Sequence, residues 1–173
     1  MQEVLDIAKY ILPSVVVLVA TLLIIKKFMD AEQRKQLYEV RKENQKATTP
    51  LRLQAYERIV LFLERISPEN LVLRVHKPGM SAKLLQANLI ITIKTEFEHN
   101  VAQQIYISSS SWEVVKKVKE DIIRAINIAA DNLDDNATGV ELGQKLFEVM
   151  SKLEKSPTHV AIGILKNEIR QLF

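Results

Sequence analysis

The stretch that decides the fold is SAKLLQANLIITIKTEFEHNVAQQIYI, residues 81–107. Its larger apolar side chains recur every fourth position, at Leu85, Leu89, Ile93, Phe97, Val101 and Ile105. A helix turns this spacing into one slowly drifting stripe. The spacing therefore predicts a single long helix over the whole stretch, with the stripe facing a helical core.

Two segments leave a β-strand alternative open. The β-branched runs LIITI (89–93) and IYIS (105–108) would suit the strands of a hairpin that turns at residues 98–100. The absence of glycine from that turn argues against the hairpin. The segment LVLRVH (71–76) is long enough for a strand and equally suits one or two helical turns.

The segment before this stretch predicts a core-forming helix. LRLQAYERIVLFLERI (51–66) places apolar residues at steps of three and four. Thr48, Thr49 and Pro50 precede it and predict a helix break, because the residue before a proline is pushed out of the helical region. Ser67 and Pro68 end this helix and suit the start of a short second one. The residues that form its predicted face are Leu53, Tyr56, Ile59, Val60, Phe62, Leu63 and Ile66.

Three further helices have clear start signals. Ser110 to Glu113 and Thr138 to Glu141 each match a capping box, in which a hydroxyl and a glutamate satisfy backbone amides reciprocally. Ser156 and Pro157 supply an N-cap followed by proline at the first helical position. The predicted apolar faces comprise Val115, Val118, Ile122, Ile126 and Ala129, then Leu142, Leu146, Val149, Met150 and Leu153, then Val160, Ile164, Leu165, Ile169 and Leu172.

The N-terminal region is typical of a membrane span. YILPSVVVLVATLLII (10–25) carries no charge, and with residues 7, 8, 28 and 29 it approaches the roughly 20 residues that a helix needs to cross a bilayer. A cleaved signal peptide and a buried core helix are the rival interpretations. The start MQEVLDIAK and the lack of an A-x-A site disfavour the first, and the length disfavours the second. The predicted anchor residues are Tyr10, Ile11, Leu12, Val16, Leu18, Leu22, Ile25, Lys26 and Lys27.

The charge distribution predicts the orientation of this span. Residues 26–46 hold seven Lys or Arg and four acids, whereas residues 1–9 hold one Lys and two acids. Basic residues concentrate on the cytoplasmic side of membrane spans. The N-terminus is therefore expected outside a bacterial inner membrane, with the C-terminal domain cytoplasmic. The rest of the chain is nearly neutral, which disfavours nucleic acid as a partner.

The sequence thus predicts an all-α protein with three parts. Residues 1–29 form a transmembrane anchor, and residues 30–49 form a juxtamembrane basic helical stalk with no sustained apolar heptads. Residues 50–173 form a compact cytoplasmic bundle of about five helices. Membrane lipid is one expected partner, and the oligomeric state is not predicted.

The composition excludes several kinds of chemistry. The 173 residues include no cysteine, three histidines and four glycines. Thiolate chemistry is therefore excluded, and a phosphate-cradling glycine loop would be hard to build. No Walker loop, dinucleotide-binding fingerprint, nucleophile elbow or zincin motif is present. We expect no enzyme activity and no cofactor.

One polar cluster remains to be explained, comprising Glu96, Glu98, His99, Asn100, Gln103, Gln104 and Trp112. On a continuous helix Glu96, His99 and Gln103 would share one face. Glu96 and His99 match the Glu-x-x-His spacing of di-iron bundles, but that chemistry needs a second copy and two further glutamates. The favoured interpretation is a structural network with arginines such as Arg58 or Arg65, or a partner-binding surface. Trp112 is interpreted as a core or interface anchor.

The sequence also resembles a known type of protein. The N-terminal span, AYERIVLFLERISPENLVLRV and EFEHNVAQQIYISSSSW are similar to an uncharacterised family of small membrane-anchored proteins from Bacteroidota. The resemblance covers nearly the whole chain and implies an inner-membrane protein without a known activity. The residues that carry it are Tyr56, Glu57, Arg58, Glu64, Arg65, Glu96, Glu98, His99, Asn100, Gln103, Gln104, Tyr106 and Trp112.

Together these features predict a non-enzymatic accessory subunit or scaffold of a larger membrane complex. The expected protein partners belong to that complex. Two alternatives remain open: a metal-dependent enzyme that uses Glu96, His99 and Glu98, and a membrane-tethered contact with RNA or the ribosome. The RNA alternative would use residues 26–46 and the lysines at 116, 117 and 119.

Overall fold

A computed structural model describes residues 1–172, apart from the side chains of residues 2–10, 12 and 172. These residues form helices and no β-strand beyond one isolated bridge, so the prediction of an all-α fold is confirmed. None of the helices in this described part is long and apolar enough to cross a membrane. The elements are α1 (Gln2–Arg65), α2 (Pro68–Val75), α3 (Ala82–Glu98), a 3-10 helix (Val101–Ile105), α4 (Ser109–Asp131), α5 (Gly139–Ser151) and α6 (Pro157–Leu172).

The chain divides into two units, Met1–Thr49 and Pro50–Phe173. In the first unit the side chains of residues 13–48 are all exposed. These include most of the predicted anchor and nearly all of the stalk. The predicted roles of Tyr10 and Leu12 fall on side chains outside the described part of the chain.

The predicted helix break before Pro50 is wrong, because α1 continues through residues 48–50. Proline removes one helical hydrogen bond and crowds the carbonyl four residues earlier, which is an energetic bias and not a prohibition. The hydroxyl of Thr48 donates to the carbonyl of Asn44 at 2.8 Å, within the same helix. The residues around Pro50 therefore keep a helical conformation.

The second unit has a continuous apolar core, and α4 is its central element. Helix α4 packs against α3, α5 and α6, while α2 packs against α3 and α5. The predicted face of α4 is confirmed, since all five of its residues are buried. The predicted face of α6 is partly wrong: Val160 and Ile164 are exposed, and Ala161 and Ile162 are buried beside Leu165.

The single helix predicted over residues 81–107 is wrong beyond Glu98, where α3 ends. The buried side chain of Asn100 donates to the carbonyl of Glu96 at 2.7 Å, and the Asn100 amide donates to Phe97 O at 2.9 Å. These bonds satisfy carbonyls at the helix end, as a C-cap does. The 3-10 helix then leaves Ile105 76% exposed. Residues 89–98 and 71–75 are helical, so neither of these segments forms a strand.

The helix starts show which hydroxyl groups act as caps. Ser108 caps α4 by accepting a hydrogen bond from the amide of Ser111 at 3.1 Å, so the capping box predicted at Ser110 is wrong. The capping box of Thr138 and Glu141 is confirmed. Helix α4 therefore begins at Ser109, two residues before the start that a cap at Ser110 would give.

A tight contact joins the turn after α2 to the start of α5. Gly79 adopts a φ of 82° in the predicted turn, which suits glycine. The amide of Gly139 donates to Met80 O at 2.8 Å. A Cβ atom at Gly139 would lie 3.1 Å from this carbonyl and 3.1 Å from His76 Cδ2. Glycine therefore permits the close approach of the two turns.

Candidate interaction surface at the end of α3

The carboxylate of Glu96 joins three helices of the second unit. Its Oε1 atom lies 3.2 Å from Arg65 Nε on α1 and 3.4 Å from Arg74 Nη1 on α2. The Glu96 side chain is only 16% exposed. Since partly buried ion pairs are screened less than fully exposed pairs, these contacts fix the end of α3 against α1 and α2.

Two further arginines of α1 contact the segment that follows Glu96. Arg58 donates to the carbonyl of His99 at 3.4 Å, a long hydrogen bond, and Arg52 Nε donates to the carbonyl of Tyr106 at 3.1 Å. Positive charge near the last carbonyls of a helix is favourable, because the helix dipole is negative there. The arginines of α1 therefore hold residues 96–106 at three points.

An aromatic stack packs against residues 96–106. The rings of Phe97 and Trp112 are stacked, with centroids 5.3 Å apart and an interplanar angle of 20°. Phe62 of α1 lies 5.9 Å from Phe97. Lys119 Nζ lies 4.4 Å from the centre of the Phe97 ring, within cation–π range. Trp112 is buried, so it packs in the core and is not a free surface anchor.

The predicted polar cluster thus divides into two groups. Asn100 and Trp112 are buried, and Glu96 is engaged by arginines. Glu98, His99 and Gln104 are exposed, and Gln103 is half-buried. The predicted common helical face of Glu96, His99 and Gln103 is wrong, because α3 ends at Glu98. We refer to Glu98, His99 and Gln104 as the presented surface.

The local geometry does not assemble a metal site at Glu96 and His99. Glu96 Oε1 faces two guanidinium groups, whose positive charge opposes a cation there. His99 lies on the exposed side of the helix end. Across the part of the chain that the structure describes, no group of three or more His, Cys, Asp or Glu residues could hold a metal ion.

A second polar network, which the sequence does not reveal, is centred on Glu168 of α6. Tyr56 Oη donates to Glu168 Oε1 at 2.5 Å, and the amide of Ser108 donates to the same oxygen at 3.1 Å. The hydroxyl of Ser111 donates to Glu168 Oε2. This carboxylate therefore ties α6 to α1 and to the start of α4. In sequence, Glu168 lies in LKNEIRQ, where it is indistinguishable from a surface acid.

The network shifts two pKa values in opposite directions. Burial acts to raise the pKa of Glu168, but the hydrogen bonds from Ser111, Tyr56 and Ser108 outweigh it and lower the pKa. Burial and the adjacent carboxylate raise the pKa of Tyr56 to about 12. An ionised Glu168 and a neutral Tyr56 are thus the stable pair, which suits a structural tie between helices.

These features define a class of protein: an all-helical chain whose second unit exposes polar side chains on a segment, residues 96–106, that arginines and aromatic rings hold in place. The chain belongs to the family described as "Family of unknown function (DUF7935)", whose profile matches residues 2–172. This confirms the expected membership of an uncharacterised family. No curated protein matches the chain. No solved structure matches it either.

Proposed function

We propose that this chain is a non-enzymatic, single-pass protein of the inner membrane in a bacterium of the Bacteroidota. Residues 7–29 cross the membrane with residues 26–29 at the level of the headgroups, the N-terminus lies outside, and the second unit lies in the cytoplasm. That unit acts as an accessory subunit or scaffold of a larger membrane complex. The observation that supports the docking role is the presented surface, whose backbone is held in place by arginines of α1.

Exposed apolar side chains support the anchor. Between Val15 and Ile25 the large apolar side chains are 49% to 67% exposed and surround the helix. Water disfavours such a surface, whereas lipid accommodates it. None of the described helices alone is long and apolar enough to cross a membrane, and the proposed span counts residues 7–10 and 12 as well, whose side chains lie outside the described part of the chain.

The hydroxyl groups within this run are compatible with lipid. Ser14 donates to the carbonyl of Ile11 at 2.7 Å, and Thr21 donates to the carbonyl of Val17 at 2.8 Å. In the hydrocarbon region every polar group must find a partner inside the protein. These two hydroxyls therefore carry little of the usual cost of burying a polar group in a bilayer.

The arginine contacts support docking at the presented surface. Arg52 and Arg58 bond to backbone carbonyls of residues 96–106, and Arg65 pairs with the carboxylate of Glu96, so the exposed side chains start from a fixed position. A surface that is ordered before binding loses less conformational entropy in the complex. Anchoring adds to this effect, because confinement at the membrane raises the effective concentration of a membrane partner.

Alkaline extraction of membranes tests the anchor. Full-length protein expressed in a host of the Bacteroidota is expected to stay in the membrane pellet after a carbonate wash at high pH. A peripheral protein would be released by this treatment. Complete release into the supernatant would contradict the proposed span.

Site-specific photocrosslinking tests the docking role. A photoreactive amino acid at His99 or Gln104 should give a reproducible adduct with one or a few membrane-complex proteins. The same amino acid at the exposed position Asn167 of α6 is the matched control. Crosslinks that are equally strong and equally diverse from all three positions would remove the support for a specific docking surface.

A further inference from the structure

Four basic side chains lie within ten residues of the end of the exposed apolar run of the first unit. Lys26 and Lys27 follow Ile25, and Arg34 and Lys35 lie about two helical turns further on. All four are exposed, and all belong to α1. Asp30 and Glu32 offset half of this charge.

We propose that Lys26, Lys27, Arg34 and Lys35 form a binding collar for anionic phospholipid headgroups. This inference rests on the proposed membrane span and names the lipid that the anchored chain prefers. Phosphate oxygens of the headgroups would accept hydrogen bonds from the ammonium and guanidinium groups. Each basic residue near an anionic leaflet adds favourable electrostatic attraction.

Distances along the helix separate the collar from the other basic residues of the stalk. A helix rises about 1.5 Å per residue, which places Lys27 about 3 Å and Lys35 about 15 Å beyond Ile25. The headgroup region is roughly 5–8 Å thick. The Debye length adds about 8 Å at physiological salt. For a helix that leaves the bilayer close to its normal, the collar therefore lies within reach of the lipid charge.

The distal basic residues lie outside this range. Arg41, Lys42 and Lys46 lie about 24–32 Å beyond Ile25 along the same helix. They have the same charge and exposure as the collar residues, but solvent and salt screen them from the headgroups. They therefore provide an internal control, because they differ from the collar residues in distance from the headgroups and not in charge.

The residues between the basic pairs suit the interface. Phe28 and Met29 follow Lys27 directly and are 71% and 56% exposed. Lysine stems extend along apolar surface while the ammonium groups reach polar surroundings. An apolar pair directly after two lysines would thus lie at the level of the headgroups.

The test uses the full chain reconstituted into phosphatidylcholine vesicles with trace spin-labelled lipid. The motionally restricted signal of labelled phosphatidylglycerol is compared with that of labelled phosphatidylcholine. The wild type should prefer the anionic lipid by about fivefold, a preference that falls in high salt. The K27Q/R34Q/K35Q variant should lose most of the preference. The R41Q/K42Q/K46Q variant, which removes the same charge from the same helix, should keep it.

The outcomes separate this inference from the proposed function. A chain that floats with the vesicles but shows equal association with both lipids would overturn the collar alone. An equal loss of the anionic-lipid preference in the two variants would also overturn the proposed collar. If the wild-type chain bound an RNA homopolymer and both triple variants lost this binding equally, the basic residues would be assigned to nucleic acid instead. A chain that fails to float with vesicles would overturn both the span and the collar.

Discussion

At the scale of single residues, Glu168 shows how a half-buried carboxylate can join three helices. Its two oxygens accept hydrogen bonds from two hydroxyls and one backbone amide. Such bonds offset the cost of burying charge. Sequence periodicity assigns faces to helices but does not show which side chains meet across them, so neither Glu168 nor its contact with Tyr56 could be predicted.

The substitution Glu168→Gln should destabilise the second unit by about 1–3 kcal/mol, because an amide offers one acceptor oxygen and places donors against donors. Urea unfolding of the full chain in mild detergent, followed by the fluorescence of the single Trp112, measures the change. Glu57→Gln, on the exposed face of α1, is the control and should change little. Equal effects of the two substitutions would mean that the network does not stabilise the fold.

The lowered pKa of Glu168 predicts a pH dependence of the same stability. Because the folded pKa is depressed, the contribution is complete above the ordinary value of 4.5 and is lost as pH falls through the folded pKa. The free energy of unfolding should thus fall below about pH 4.5. Glu168→Gln should show a shallower fall over this acidic range. Identical pH profiles for both chains would contradict the assignment.

At the scale of helices and turns, features that depend on one helix alone could be predicted from the sequence. The Thr138 capping box and the core face of α4 were readable because each depends on neighbours within one helix. The end of α3 depends on Asn100 and on a contact between His99 and Arg58, which lies 41 residues earlier in the chain. A contact between residues so far apart in the chain leaves no pattern in the sequence near residue 98. The apolar spacing therefore predicted a helix that was too long.

The two serines at the start of α4 give a direct test of the corrected cap. Ser108→Ala should destabilise the fold by about 1 kcal/mol, because the hydroxyl accepts from the amide of Ser111. Ser110→Ala should have an effect below about 0.5 kcal/mol. Thermal unfolding by circular dichroism compares the two variants. A larger loss for Ser110→Ala would restore the cap predicted from the sequence.

Two glycines should respond to alanine in opposite ways. Gly139→Ala should be destabilising by about 1–3 kcal/mol, since the new Cβ would crowd the carbonyl of Met80 and the His76 ring. Gly163→Ala should stabilise α6 by about 0.5–1 kcal/mol, because nothing lies within 4 Å of its new Cβ. Denaturation midpoints decide between the two expectations. Stabilisation by Gly139→Ala would refute the close approach of the two turns.

At the scale of the whole molecule, the two units differ in how they are stabilised. The buried core lies between Ala55 and Leu165, entirely within the second unit. The side chains of residues 13–48 in the first unit are exposed and lack a core of their own. The sequence predicted this contrast from composition, because a charge-free run and a polar run differ plainly. The proposed membrane supplies the surroundings that the apolar run needs.

A fragment of residues 50–173 should therefore fold alone. We expect a helical circular-dichroism spectrum and one cooperative unfolding transition, since the fragment retains the whole core. Trp112 should keep its buried emission. A molten fragment without cooperative unfolding would show that the first 49 residues are needed for the fold.

The central claim is that membrane anchoring promotes docking through the presented surface. Its most direct test is the yield of partner crosslinks from a photoreactive residue at Gln104, in full-length protein and in the 50–173 fragment at equal cellular concentration. We expect a specific adduct from the full-length chain and a yield at least about tenfold lower from the folded fragment. Equal yields from both chains, or no specific adduct from the full-length chain, would contradict it.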